Sequence, residues 1–113
     1  MAGQITIAPI PDEVTVVAGG AVLGTSRRAL ELREGSYPPV IYVPREDLDM
    51  GVMERTTRST TCPWKGAASY YSIRTGAGLL ENAVWSYEDP KPEVAAIAGH
   101  LAFYADKVSV TRG

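Results

Sequence analysis

The chain has 113 residues, with 45% hydrophobic and 21% charged side chains, a composition typical of one small globular domain. The formal net charge is -2, and no basic tract is present that would bind a phosphate backbone, so we expect no nucleic acid partner. No apolar run approaches the roughly 20 residues needed to cross a membrane, so no membrane association is predicted.

The chain contains one cysteine, Cys62, and one histidine, His100. Residues 1–7 lack a basic segment followed by an apolar one, so we expect no secretory signal. A single cysteine cannot form an internal disulfide, which favours the reducing cytoplasm. Because a structural zinc site usually takes four Cys or His ligands, we also expect no metal site and no cofactor.

Polar and apolar residues alternate along most of the chain, which is the pattern of β-strands. Strands are predicted in the first half at residues 14–18, 21–26, 29–34 and 40–43. The dipeptide Gly19-Gly20 is typical of a tight hairpin between the first two. Residues 45–49 follow Pro44 and are predicted to form a single helical turn.

The second half continues the β pattern, with one helix. Strands are predicted at residues 53–61, 68–74, 82–88, 100–105 and 107–111. The first of these is polar, as expected for an edge strand, and the last two are predicted to form a hairpin around Asp106. Residues 92–98 are predicted to be helical, since a proline and a glycine mark the ends. The sum is a single mainly β domain over residues 1–113 with one or two short helices.

Four segments place polar and aromatic residues at strand ends: Tyr42–Asp47 (YVPRED), Thr61–Tyr70 (TCPWKGAASY), Ala83–Pro90 (AVWSYEDP) and Ile97–Tyr104 (IAGHLAFY). In this order they resemble the family Domain of Unknown Function 427, small bacterial proteins sometimes labelled nucleotidyltransferase-like. The resemblance extends from about Val14 to Val110.

The resemblance implies a β-tent-like fold, in which two antiparallel sheets meet at an angle. Several relatives with that fold bind zinc, but this chain lacks their paired cysteines, so a zinc-free variant is implied. Nucleotidyl transfer usually needs two or three carboxylates around a divalent metal. Asp47 and Asp49 are spaced to share a metal, but no third carboxylate is evident, so the residues do not support that label.

We predict a pocket between the sheets that binds a small planar or anionic ligand. Its candidate residues are Arg45, Asp47, Cys62, Lys65, Tyr70, Trp85 and Tyr87. The three rings would form an aromatic wall suited to a planar heterocycle or a cation. The two cations would bind an anionic group, with Asp47 orienting Arg45 or accepting a hydrogen bond.

Simpler interpretations of the same residues stay open. The aromatic residues are also what a small hydrophobic core needs. Arg45 has acidic neighbours with which it can pair, and Lys65 can be solvated. Cys62 is either a reactive thiol, activated by a nearby lysine, or a small buried residue.

Two other functions are consistent with the sequence. One is a non-catalytic interaction module, or a homodimer that buries the polar strand at residues 53–61. The other is an enzyme that uses the thiol of Cys62.

Overall fold

The computed structural model describes residues 4–113, which form ten β-strands and three short 3-10 helices. The strands are β1 (Ile5–Pro9), β2 (Val14–Ala18), β3 (Ala21–Ser26), β4 (Leu30–Glu34), β5 (Val40–Pro44), β6 (Met53–Cys62), β7 (Gly66–Thr75), β8 (Gly78–Ser86), β9 (His100–Phe103) and β10 (Ser109–Arg112).

The helical segments are Arg45–Asp47, Met50–Val52 and Pro92–Ile97. The predicted helix at residues 92–98 is therefore a 3-10 helix, interrupted at Val94, where φ is -124° and ψ is 26°. It begins with proline at the first position, as the sequence predicts. Short helical elements are confirmed, and all three have 3-10 geometry.

The strands form two sheets in which every pair is antiparallel. The large sheet has seven strands in the order β1-β4-β5-β9-β8-β7-β6, and the small sheet has three in the order β10-β2-β3. A mainly β fold with two antiparallel sheets is therefore confirmed. Strand β1, which the sequence pattern did not identify, pairs with β4 at one edge of the large sheet.

The two predicted hairpins have different outcomes. Gly19 and Gly20 have φ of 56° and 80° and connect β2 to β3, as predicted. The hairpin around Asp106 is wrong, because β9 pairs with β5 and β8 whereas β10 pairs with β2. The N–H groups of Lys107 and Val108 both donate to the carbonyl of Tyr104, and this turn leads the chain to the other sheet.

Hydrophobic side chains are buried on both faces of the large sheet. In β5, Val43 belongs to the first of two clusters and its neighbour Tyr42 to the second. In β7, Tyr71 belongs to the first cluster and Tyr70 to the second. Because successive side chains of a strand point to opposite faces, the two clusters lie on opposite faces. The first cluster packs against the small sheet through Val14 and other residues, and the second is covered by the 3-10 helix Pro92–Ile97.

A gap opens in the middle of the large sheet. Within residues 4–113, β5 and β9 pair only at Val43 with Leu101 and at Pro44 with His100. Residues 40–42 of β5 pair with β4 along their other edge, and Ala102 and Phe103 pair with β8 along theirs. Beyond the two shared pairs, no ladder pairing joins β5 to β9 within residues 4–113, which leaves a gap between the start of β5 and the end of β9.

Candidate functional site

A cleft of 760 Å³ occupies the gap between β5 and β9. Val40 and Ile41 line it on one side, and Phe103 and Tyr104 line it on the other. Val40 and Ile41 are adjacent in the strand and point to opposite faces, so the cleft runs through the gap rather than along one face. The cleft therefore lies where the two strands are unpaired.

A smaller cavity of 240 Å³ adjoins the cleft on the side of the second hydrophobic cluster. The two hollows share seven lining residues: Glu34, Tyr37, Pro38, Val40, Lys65, Trp85 and Tyr104. The inner cavity is also lined by three tyrosines, Tyr42, Tyr70 and Tyr87. A ligand that enters the cleft thus meets an aromatic inner end.

Trp85 is held between two tyrosines. Its ring centroid lies 4.7 Å from that of Tyr104, at an interplanar angle of 52°, and 6.5 Å from that of Tyr42, at 89°. The indole N–H donates to the Tyr42 hydroxyl over 3.3 Å. Burial raises the pKa of Tyr42 to about 12, so this hydroxyl stays neutral at physiological pH. These contacts fix the orientation of the indole in the cleft.

Lys65 and Glu34 form an ion pair where the cleft meets the inner cavity. The Lys65 ammonium donates to Glu34 Oε1 over 2.8 Å, and the two side chains are only 11% and 14% exposed. Burial alone lowers the pKa of Lys65, but the hydrogen bond to Glu34 and neighbouring negative charge more than offset this, so its pKa is raised. Lys65 is therefore a cation with its charge already balanced.

The turn between β6 and β7 positions Lys65. The Lys65 carbonyl accepts a hydrogen bond of 3.0 Å from the N–H of Lys91, which ties the turn to the segment after β8. Gly66 has φ of 111°, a conformation that side chains other than glycine rarely adopt. The sequence Lys65-Gly66 thus combines a side chain that lines the cleft with a glycine suited to the backbone conformation of the turn.

Cys62 lines the cleft at the end of β6, where it pairs with Gly66. Its thiol is free, and the residue is partly buried against the second cluster. Trp64 and Tyr37 also line the cleft and are 43% and 68% exposed. The cleft therefore has exposed aromatic rings at its rim.

Tyr70 and Tyr87 differ in their hydrogen bonding. The hydroxyls of Tyr70 and Thr60 share a hydrogen bond of 2.9 Å, and the Arg58 guanidinium lies 4.8 Å from the Tyr70 ring centroid. Burial raises the pKa of Tyr70, but hydrogen bonds from Thr60, Tyr104 and Arg58 lower it further than burial raises it. Burial raises the pKa of Tyr87, for which no side-chain hydrogen bond is found within residues 4–113.

Arg45 lies outside the cleft. Its Nε donates to the Gly99 carbonyl over 2.8 Å, and its Nη2 donates to Glu88 over 2.9 Å. Its guanidinium is 5.9 Å from the ring centroid of Tyr71, which belongs to the cluster between the sheets. Burial lowers the pKa of Arg45, but hydrogen bonds with Tyr71 and Glu88 raise it more. Arg45 joins three segments of the fold and lines neither cavity.

Asp47 also lies outside the cleft, beside the small sheet. Its carboxylate accepts hydrogen bonds from the Ser26 hydroxyl over 2.6 Å and from Arg28 Nη2 over 2.8 Å. The hydrogen bond from Arg28 is the main reason why the pKa of Asp47 is lowered. Asp47 therefore pairs with Arg28 and does not orient Arg45.

Residues 6–112 match the model of the family described as a domain of unknown function, DUF427. The chain belongs to the DUF427 family. The match includes every residue that lines the cleft and the inner cavity. No curated protein matches the chain.

The model of the DUF427 family has a nucleotidyltransferase-like name. In this member, Asp47 is bound to Arg28, and Asp49 accepts a hydrogen bond from the N–H of Gly51. Residues 4–113 contain no group of three or more His, Cys, Asp or Glu side chains that could hold a metal ion. Within the same residues, no helix has the length and apolarity to span a membrane.

Five of the seven predicted site residues thus line one or both hollows: Cys62, Lys65, Tyr70, Trp85 and Tyr87. Other lining residues were missed, notably Glu34, Tyr37, Tyr42, Trp64 and Tyr104. Tyr42, Trp64 and Tyr104 lie in the segments that resemble DUF427, which was a usable signal. Glu34 had no such signal, because its role depends on a pairing with a distant lysine.

Proposed function

We propose that this DUF427 protein binds a small, planar, mainly apolar ligand in the cleft between β5 and β9. The observation that carries the proposal is a cleft of 760 Å³ whose fifteen described lining residues include only two charged ones, Glu34 and Lys65. Small-molecule sites typically have volumes of about 300–1,000 Å³, apolar and aromatic walls, and a few fixed polar groups.

The positions of the rings support a planar ligand. Trp85 and Tyr104 are fixed against each other inside the cleft, whereas Tyr37 and Trp64 are exposed at its rim. A flat aromatic molecule would stack on these rings and cover apolar surface that is otherwise in contact with water.

The charge balance favours a neutral ligand over an anionic one. The Lys65 ammonium is already paired with Glu34 at 2.8 Å. An anionic group would have to compete with that carboxylate and would be repelled by it at close range. Arg45, the other cation that the sequence offered for an anion, donates to Glu88 and Gly99 elsewhere in the fold.

The chain offers a direct readout of binding, because both of its tryptophans, Trp64 and Trp85, line the cleft. We expect neutral bicyclic aromatic fragments to change tryptophan fluorescence and to shift both indole N–H signals in a ¹H–¹⁵N NMR spectrum. Replacing the exposed rim residue in Trp64→Ala should weaken binding about tenfold through lost stacking. Val22→Ala, at an apolar position on β3 that is 62% exposed and lies outside the cleft, is the matched control and should not change binding. Fragments that bind equally well to both variants would contradict the proposal.

Thiol chemistry at Cys62 is a second proposal, supported by the position of this free cysteine in the same cleft. An activated thiol would react with iodoacetamide faster in the folded protein than in urea. A folded-state rate equal to or below the unfolded rate would exclude it.

A homodimer through β6 is less well supported. This strand forms the free edge of the large sheet and carries exposed arginine and threonine side chains. Its register with β7 shifts between Arg55 and Ser59. Charged side chains and bulges on an edge strand oppose pairing with another chain. Light scattering should therefore give the mass of a monomer, and a dimer that Arg58→Ala strengthens would support the alternative.

A further inference from the structure

We propose that the ligand has a lactam edge, meaning a ring carbonyl next to a ring N–H, and that Lys65 and Glu34 bind this edge together. The inference rests on the proposed function, since it assumes that a planar ligand occupies the cleft. It adds the chemical class of that ligand.

The location of the ion pair is the first argument. Lys65 and Glu34 line both the cleft and the inner cavity, so they lie where the two hollows meet. They are the only charged residues among the described residues that line either hollow. A flat molecule that fills the cleft toward its inner end therefore reaches both side chains at once.

Unused hydrogen-bonding capacity is the second argument. A lysine ammonium has three N–H donors, and within residues 4–113 that of Lys65 has one hydrogen-bond acceptor, Glu34 Oε1. The other carboxylate oxygen, Glu34 Oε2, accepts no hydrogen bond from the described residues, although a carboxylate accepts several. The pair thus presents spare donors beside a spare acceptor.

The hydroxyl of Tyr87 adds a third polar group. Every fully buried polar side-chain atom in residues 4–113 has a hydrogen-bond partner, whereas this hydroxyl has no side-chain partner. The hydroxyl is therefore not fully buried, and Tyr87, which is 7% exposed, lines the inner cavity. The Lys65 ammonium lies 5.8 Å from the Tyr87 ring centroid, so the ring of Tyr87 borders the ion pair.

A lactam edge matches this arrangement. Its carbonyl oxygen accepts from the Lys65 ammonium, and its N–H donates to Glu34 Oε2, while the 2.8 Å contact between the two side chains is retained. The edge is neutral, so the charge balance of the pair is unchanged on binding. Hydrogen bonds to charged groups are stronger than those between neutral groups, which makes the edge a source of selectivity.

Three matched bicyclic probes test this assignment. They are isoquinolin-1(2H)-one, which has the lactam edge, its N-methyl derivative, which has lost the N–H, and 1-naphthoate, which has a carboxylate instead. Affinities would be measured by titration calorimetry, with the indole N–H signals reporting that binding is in the cleft. We expect the lactam to bind most tightly and N-methylation to weaken binding about tenfold or more.

The variant Glu34→Gln should reverse this preference, because it leaves the Lys65 charge unbalanced in the cleft. We expect it to bind 1-naphthoate more tightly than the lactam. Glu31→Gln is the control, since Glu31 is also on β4 but pairs with Arg33 and Arg112 and lines neither hollow. Far-ultraviolet circular dichroism checks folding, and the three probes decide the matter on the unmodified protein if Glu34→Gln does not fold.

The outcomes separate this inference from the proposed function. If the lactam and its N-methyl derivative bind equally, or if 1-naphthoate binds the unmodified protein most tightly, the lactam assignment is wrong and a ligand cleft is still supported. If none of the three probes shifts the indole signals, both proposals are overturned.

Discussion

Lys65 and Glu34 are 31 residues apart in the chain, yet their side chains meet at 2.8 Å beside the cleft. The lysine belongs to the turn between β6 and β7, and the glutamate ends β4. These strands lie at opposite sides of the gap in the large sheet. The ion pair therefore joins segments from the two sides of the gap between β5 and β9.

This pair should contribute to folding stability. We expect Lys65→Met to lower the free energy of unfolding by about 2–3 kcal/mol, because it leaves a mostly buried carboxylate without its partner. In a double-mutant cycle with Glu34→Gln, the coupling energy should be about 1–2 kcal/mol. Urea denaturation measures these values. The pair Arg74 and Glu54, whose side chains are 51% and 52% exposed, should give a coupling below about 0.5 kcal/mol, and similar couplings for both pairs would contradict the prediction.

Asp47 should make stability depend on acid pH. Its folded-state pKa lies below the ordinary value of 3.8, so its contribution is present above that pH and is lost as the pH falls through the folded-state pKa. The difference in unfolding free energy between the unmodified protein and Asp47→Asn should therefore be about 1 kcal/mol at pH 7 and should shrink below pH 3.8. Asp12→Asn, which alters a longer, exposed contact with Arg112, is the control. A difference that is constant from pH 7 to pH 2.5 would show that Asp47 stabilises the fold by other means.

Tyr42 should make the stability of the fold depend on alkaline pH. Its pKa is raised to about 12 by burial, so the folded state keeps its proton after the unfolded chain has lost it. The contribution of Tyr42 to the free energy of unfolding is complete below pH 10 and decreases as the pH rises toward 12. In a titration at 295 nm, Tyr42→Phe should lose one of the late-ionising tyrosines. The substitution should also cost about 1 kcal/mol at pH 7, because the indole N–H of Trp85 loses its acceptor. A normal ionisation profile in the unmodified protein would contradict this.

Gly24 should be irreplaceable for steric reasons. It forms a bridge with Leu48, and a Cβ atom at this position would lie 2.0 Å from the backbone oxygen of Asp47. We expect Gly24→Ala to lower the free energy of unfolding by about 3 kcal/mol, since the small sheet cannot then approach this segment. Gly76→Ala is the matched control, because its Cβ would meet open space. Equal midpoints of thermal unfolding for the two variants would show that the backbone relaxes without cost.

The sequence was informative about local elements and about pairings through short turns. Alternation located β2, β3 and the strands around them, and Gly19-Gly20 identified their hairpin. It did not identify β1, and it paired the last two strands with each other. Whether a strand joins the large or the small sheet depends on the packing of distant segments, and alternation carries no information about that.

The same distinction applies to the site. Trp85 and Lys65 were recognisable as candidates from their side chains and their segments. Arg45 looked equally suitable, but its position is fixed by Glu88 and by the Gly99 carbonyl. Those contacts depend on tertiary structure, as does the meeting of Lys65 with Glu34.

The short contact between β5 and β9 has a consequence for motion. Two residue pairs join these strands, and beyond them residues 40–42 of β5 and Ala102 and Phe103 of β9 have ladder partners along their other edges only. Amide hydrogens beside the gap should therefore exchange with deuterated water sooner than those of β7, which has a neighbouring strand on both sides. A ligand bound in the gap would contact β5 and β9 at once and hold them in place. Its release would allow the two strands to move relative to each other.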